Sequence, residues 1–116
     1  MSDASTTVHE LRTLMQEFVD ERDWQQFHTP KNLAMSTAIE AAELMEHFQW
    51  IDAEASRRVV DDPDKLAQIG EELADVLSYC LAMANALNLD VSTILRDKIR
   101  KNAVKYPADA YRGKYK

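Results

Sequence analysis

The sequence predicts an all-α fold, and three observations predict it. Only two glycines and three prolines occur in 116 residues, too few for a turn-rich β architecture. No long stretch alternates apolar and polar residues with a period of two, whereas apolar residues recur three and four apart. Helix-capping residues precede the apolar runs: Thr7, Thr29 with Pro30 behind it, Asp62 with Pro63 behind it, and Asp90. The expectation is a four-helix bundle in one domain spanning residues 1–116, long enough for a modest core.

Residues 1–6 are polar and expected to fray. Thr7-Val8-His9-Glu10 reads as a capping box that opens a first helix over 8–22. Val8, Leu11, Met15, Phe18 and Val19 stand on it at core spacing. Arg22 suits the negative end of the helix dipole, but Asp20, Glu21 and Asp23 carry the wrong sign, so the stop is soft. The connector 23–30 is dense in rings: Trp24, Phe27 and His28. A second helix is expected over 30–50, apolar around most of its circumference, with Ser36, Glu40, Glu43, Glu46 and His47 sharing the remaining arc. A polar linker, with a helical turn over 53–58, leads to a third helix over 63–87. That helix is apolar on nearly all sides except a stripe of Gln68, Glu72, Asp75 and Tyr79. It needs cover on more than one side, more than three companion helices from a short chain supply, so a homo-oligomer is expected. Gly70 costs ~1 kcal/mol relative to Ala inside a helix; close packing near the site and simple tolerance are equal readings of it. A fourth helix is expected over 91–105, ended by Pro107. Residues 108–116 lack apolar periodicity and are expected to be irregular and flexible.

Apolar residues make up 46% and charged residues 29%, which is globular rather than disordered. The net charge of −6 is unevenly spread, −12 up to residue 95 and +6 beyond it. An acidic body excludes a nucleic-acid polymer as the natural partner, because phosphate contacts need a basic face. A basic end beside an acidic body does suit a small polyanion; a solvated tail, or one lying on a neighbouring subunit's acidic body, reads equally well. The single cysteine, Cys80, excludes an internal disulfide and is expected to be buried and inert. No apolar run approaches the ~18 residues of a membrane span and no signal segment opens the chain, so the expected location is cytoplasmic, with no membrane partner.

The chemistry is concentrated in four acids. Glu40 and Glu43 fall on one helix face, and so do Glu72 and Asp75. No Lys or Arg occurs over residues 32–56 or 66–95, where a solvated acidic helix would carry alternating bases. Carboxylates converging without cations must be protonated, hydrated at an edge, or neutralised by a bound metal, and metal is the reading adopted. An all-oxygen set selects Mg²⁺, with Mn²⁺ as the alternative. Such ions usually complete their coordination with substrate phosphate oxygens and support in-line phosphoryl displacement, with a carboxylate orienting or deprotonating the attacking water. Lys98, Lys101 and Lys105, with Asn102, would neutralise a polyphosphate, although each is equally read as a solvated base. Nearby rings offer a stacking platform for a base. Trp24 and Trp50 also read as core or interface residues, Tyr79 as a structural partner of a carboxylate, and His28 as a local packing group as well as a substrate contact.

Glu40-x-x-Glu43 followed by Glu72-x-x-Asp75 resembles the metal motif of the MazG-like, all-α nucleoside triphosphate pyrophosphohydrolases. The connector from Glu21-Arg22-Asp23-Trp24 to Thr29-Pro30-Lys31-Asn32-Leu33 is similar to that of the family's dCTP pyrophosphatase branch. So are Phe48-Gln49-Trp50, Glu71-Glu72-Leu73-Ala74-Asp75-Val76-Leu77, the set Lys98, Asn102, Tyr106 and Pro107, and Arg112-Gly113. The resemblance implies hydrolysis of a (deoxy)nucleoside triphosphate, dCTP or a modified pyrimidine dNTP, to the monophosphate and pyrophosphate. It implies Mg²⁺ held by Glu40, Glu43, Glu72 and Asp75, a base and sugar pocket lined by Trp24, Trp50 and Tyr79, and phosphate contacts from Lys98, Asn102 and Tyr106. It also implies a homo-oligomer, dimer or tetramer, with sites near subunit interfaces. Vertebrate members of the dCTP branch have a His on the first helix where this chain has Met15. Two rivals remain: a catalytically silent helical nucleotide-binding protein, and a di-iron four-helix carboxylate protein, whose Glu-x-x-His pairs are missing here.

Overall fold

In a computed structural model that describes residues 1–114, the chain forms α1 (Val8–Glu21), α2 (Pro30–Glu46), α3 (Ala53–Arg57), α4 (Pro63–Leu87), α5 (Val91–Lys105) and α6 (Ala108–Tyr111). A 3₁₀ turn, Arg58–Asp61, joins α3 to α4, and the described residues contain no strand. The four long helices start where their caps predict. Thr7 Oγ1 accepts from the Glu10 N–H at 3.1 Å, Thr29 Oγ1 from Asn32 at 3.2 Å, Asp62 Oδ1 from Lys65 at 3.1 Å and Asp90 Oδ2 from Thr93 at 3.0 Å. Each such bond satisfies an otherwise orphaned donor and contributes about 1 kcal/mol.

Two ends differ from expectation. α2 stops at Glu46 rather than near residue 50, because the His47 and Phe48 N–H groups turn back to the carbonyls of Leu44 and Met45. Such three-residue closures tighten a last turn and need no Gly or Pro to announce them. α6 forms in the tail expected to be irregular. Pro107 accepts from the Ala110 and Tyr111 N–H groups at 3.1 Å, and the Tyr111 ring meets Tyr106 edge-on at 5.3 Å. Tyr115 and Lys116, also part of that expected tail, lie outside the described residues. α4 ends as its Asn-Leu signal predicts, with Asn88 in the left-handed region (φ 54°) that asparagine tolerates.

α4 is the axis of the molecule, with α2 packed along it and α1 laid against it. A reciprocal pair pins α1: Arg12 Nε donates to Asn85 Oδ1 at 3.0 Å, and Asn85 Nδ2 donates to the Arg12 carbonyl at 3.1 Å. The buried apolar residues are Val19, Leu33, Ala82 and Ala84, with Leu33 only 1% exposed. Leu33→Ala should therefore cost about 2–5 kcal/mol, read as a lower denaturation midpoint with an unchanged m-value. Of the five α1 residues at core spacing, only Val19 is buried. Cys80 is exposed, not buried, because its side of α4 has no cover within the chain.

α5 packs along none of α1, α2 or α4, and leaves Ile94, Leu95, Ile99 and Val104 in solvent. The radius of gyration is accordingly 17.1 Å, against roughly 13 Å for a compact chain of this length. The accessible surface is 9132 Å², against roughly 6,500 Å² for a compact monomer of this mass. No helix among the described residues is long and apolar enough to cross a membrane.

Candidate metal centre and adjoining cleft

The acidic arcs of α2 and α4 face one another. Carboxylate oxygens of Glu40, Glu43 and Glu72 lie within 4.8 Å of one another. Glu40 and Glu72 are half-buried, and each keeps one Oε2 shielded from solvent with no hydrogen-bond partner. Leaving such an oxygen unsatisfied costs free energy that native proteins rarely concede without a ligand or water to meet it. Burial pushes the Glu40 carboxyl up from its usual 4.5 to about 7, helped by a hydrogen bond and repulsion from Glu43 and by the charges of Asp75 and Glu72. Glu72 is raised for the same reasons, desolvation first and then Glu43, with His47 acting in the opposite sense. The ion pairs among the described residues are Arg22–Glu21, Arg57–Glu54, Arg100–Asp97 and Arg112–Asp109, so none relieves this cluster. Hard oxygen donors, two of them orphaned and all crowded by like charge, fit a hard divalent cation. Glu40, Glu43 and Glu72 are the group that could hold one.

Asp75 stands outside this tight trio, yet its charge raises both Glu40 and Glu72. It lines an adjoining cleft of about 300 Å³ with Met15, Phe18, Trp24, His28, Ser78 and Tyr79. The connector builds that cleft. Asp23 takes a left-handed backbone (φ 53°), and the Trp24 N–H returns to the Val19 carbonyl at 3.0 Å. This folds the Trp24 indole onto Phe18, edge to face at 5.7 Å. Arg22 braces Phe18 from behind, its guanidinium 3.7 Å from the ring centroid and its Nη1 donating to the Phe18 carbonyl at 3.0 Å. Asn32 Nδ2 fastens the far end of the connector to the Phe27 carbonyl at 3.0 Å, and His28 lies 6.3 Å from the Tyr79 ring. Trp24, His28 and Tyr79 also border a second cleft of about 400 Å³ that runs to Ser36 and Ile39 of α2. Met15 and His28 separate the Asp75 cleft from a further one lined by Gln16, Gln25 and Asn85.

Four expected substrate contacts lie elsewhere in the single chain. Trp50 follows the end of α2 and is 87% exposed. Lys98 lines an apolar groove on α5 with Val91, Ile94 and Leu95. Asn102 also belongs to α5, and Tyr106 caps it, packed on Tyr111 with the Lys105 ammonium 5.3 Å from its ring. Three residues of the site escaped the sequence reading: Phe18, Ser78 and His47. Phe18 has core spacing, which cannot tell a buried ring from one lining a cleft. His47 lies four residues after Glu43 on the acidic arc, and that placement was the available signal.

A family profile described as MazG-like matches residues 35–115. Among curated proteins, dCTP pyrophosphatase 1 of Rattus norvegicus is 40% identical over 108 residues, and that of Homo sapiens 40% identical over 103. The alignments take in 92% and 88% of this chain but 63% and 60% of those proteins, so the chain spans less than two thirds of their length. The crystal structure of a pyrophosphatase from Archaeoglobus fulgidus superposes with a TM-score of 0.81 at 36% identity, over 92% of this chain and 98% of that one.

Proposed function

The chain belongs to the MazG-like family, and from that premise we propose that it is a nucleoside triphosphate pyrophosphohydrolase. The proposed substrate is dCTP or a modified pyrimidine dNTP, the products are the monophosphate and pyrophosphate, and the role is cleaning the cytoplasmic nucleotide pool. Water attacks the α-phosphorus, the bond from that phosphorus to the bridging oxygen breaks, pyrophosphate leaves, and the water's proton passes to a carboxylate. The observation that carries this reading is the convergence of Glu40, Glu43 and Glu72 within 4.8 Å with two orphaned oxygens, beside a ring-lined cleft of base size.

Glu40, Glu43 and Glu72, joined by Asp75 across the mouth of the cleft, would hold Mg²⁺ or Mn²⁺. When bound, the ion supplies charge neutralisation and Lewis-acid activation of phosphate oxygens. The protein's own part is to bring the triphosphate beside the acids and keep the base end fixed. Trp24 and Tyr79 offer the faces between which a base stacks, and His28 offers a polar edge. Met15 offers only a weakly accepting thioether and no donor, so base choice rests mainly on stacking and on the groups around it. Lys98, Asn102 and Tyr106, together with Trp50, reach the phosphates and the site from a neighbouring subunit of a homo-oligomer, dimer or tetramer. The 17.1 Å radius of gyration and the unpacked α5 support that assembly.

Incubation with each canonical dNTP and with C5-modified pyrimidine dNTPs in Mg²⁺, with products identified, tests the activity. Monophosphate and pyrophosphate in equal amounts are expected; binding without turnover would favour the silent nucleotide-binding alternative. Trp24→Ala should raise KM by roughly 10- to 100-fold with a smaller change in kcat, given ~1–3 kcal/mol for a base–ring stack. Steady-state kinetics on the preferred dNTP would check it.

A further inference from the structure

The two acid-bearing helices run antiparallel, and that sets an order along the seam between them. Ser36 and Ile39 of α2 share a cleft with Tyr79 of α4, while Glu40 and Glu43 meet Glu72. At one end of the acids lies the cleft of Trp24, His28 and Tyr79, which Asp75 also lines. His47 stands at the other end. It closes α2 with helical backbone angles (φ −66°, ψ −19°), so helical spacing still applies to it. At 100° per residue it falls in angle between Glu40 and Glu43, roughly 6 Å further along the axis than Glu43. It is half-buried, and its charge is felt by Glu72 across the seam. On α4, Gln68 lies one turn and Lys65 nearly two turns beyond Glu72, on the same stripe and in the same direction.

A triphosphate whose base stacks between Trp24 and Tyr79, with its α-phosphate beside the acids, runs onward along the seam towards His47. The two phosphates that leave then face the imidazole. We infer that His47 is a catalytic residue of this site, donating a hydrogen bond to the departing pyrophosphate, with Gln68 beside it on α4. As water attacks the α-phosphorus and gives its proton to a carboxylate, the electron pair of the breaking bond passes to the bridging oxygen. That oxygen becomes a terminal oxygen of pyrophosphate, and an N–H aimed at it stabilises the charge as it develops. No proton need pass from His47, because an imidazole keeps an N–H donor whether neutral or charged. Scarcity singles this residue out. No Lys or Arg occurs over residues 32–56 or 66–95, so within the acid-bearing stretches His47 is the side chain that can bring positive charge to a phosphate. The inference rests on the pyrophosphohydrolase reading above and adds the direction in which the substrate lies. It supplements the phosphate contacts proposed for Lys98, Asn102 and Tyr106.

The two products serve as probes. The chain holds three histidines, His9, His28 and His47, whose imidazole signals NMR resolves. With Mg²⁺ present throughout, pyrophosphate should shift the His47 signal and leave His28 in place, and dCMP should do the reverse. In steady-state kinetics, His47→Leu should raise the inhibition constant of pyrophosphate roughly 10-fold and lower kcat by a similar factor, the scale of one hydrogen bond to a charged group. The inhibition constant of dCMP and the Mg²⁺ concentration for half-maximal activity should not move. His47→Gln, which keeps an N–H donor, should recover most of the loss. A His47 that only packs the end of α2 would leave pyrophosphate inhibition untouched in both variants. That result, or a pyrophosphate that shifts His28 in place of His47, would overturn this inference in an enzyme that still turns over. A native protein that hydrolyses no triphosphate would instead remove the reading beneath it. If His47→Leu fails to fold, the NMR shifts of the native protein decide alone.

Discussion

Glu43→Gln should lower kcat for the preferred dNTP by about a thousandfold or more, the scale of losing a carboxylate from a phosphoryl-transfer site. Glu43 is the member through which the cluster is coupled, because it acts by charge and by hydrogen bond on both Glu40 and Glu72. Its amide analogue keeps the size of the side chain and removes the charge. Helix content and oligomer size should therefore stay as they were, by circular dichroism and light scattering. Asp75→Asn should abolish turnover as well, because it removes a carboxylate whose charge acts on both Glu40 and Glu72. Glu46→Gln, one turn beyond Glu43 on an exposed position, is the control and should change kcat less than twofold. Near-normal turnover by Glu43→Gln would place the chemistry elsewhere.

Much of this site could be read from residue types alone. Caps at Thr7, Thr29, Asp62 and Asp90 are local devices, and local devices set helix starts, so four starts agree with the structure. The absence of bases around the four acids is likewise visible in a one-dimensional string, and their convergence follows once α2 and α4 pack. What could not be read is decided by contacts across the molecule. Phe18 and Cys80 both have apolar, helical spacing, and both were expected in a core. One lines a cleft because Asp23 reverses the chain behind it, and the other is bare because the chain supplies no helix to cover it. Trp50, Lys98, Asn102 and Tyr106 match a family pattern in sequence, yet none of them lines the clefts around Asp75, Trp24 and Tyr79 in the single chain. α6 arises from Pro107 and one Tyr–Tyr contact, too small a signal for any periodicity to reveal.

The metal-free protein should lose stability as pH rises from about 4.5 through about 7, opposite to the trend that paired carboxylates impose. The sign follows from Glu40. Its folded carboxyl is raised from 4.5 to about 7, so between those values the native state holds a proton that the unfolded chain has released. Stability thus falls with rising pH across that window, and flattens once Glu40 ionises in both states. Glu72, raised as well, adds to the slope in the same direction. Divalent metal reverses the outcome: it binds the ionised form, competes with the proton, and should hold more tightly as pH climbs toward and past 7. Thermal melts in EDTA and in millimolar Mg²⁺ or Mn²⁺ at pH 5.5 and 7.5 would read both effects, with the metal-induced rise in Tm larger at 7.5. Glu40→Gln should raise the EDTA Tm at pH 7.5 by several degrees while abolishing that rise, because removing one charge relieves the repulsion that ligand binding otherwise relieves. A metal-free Tm that climbs steadily from pH 5.5 to 7.5, unchanged by either ion, would mean these acids are a solvated surface and not a binding site.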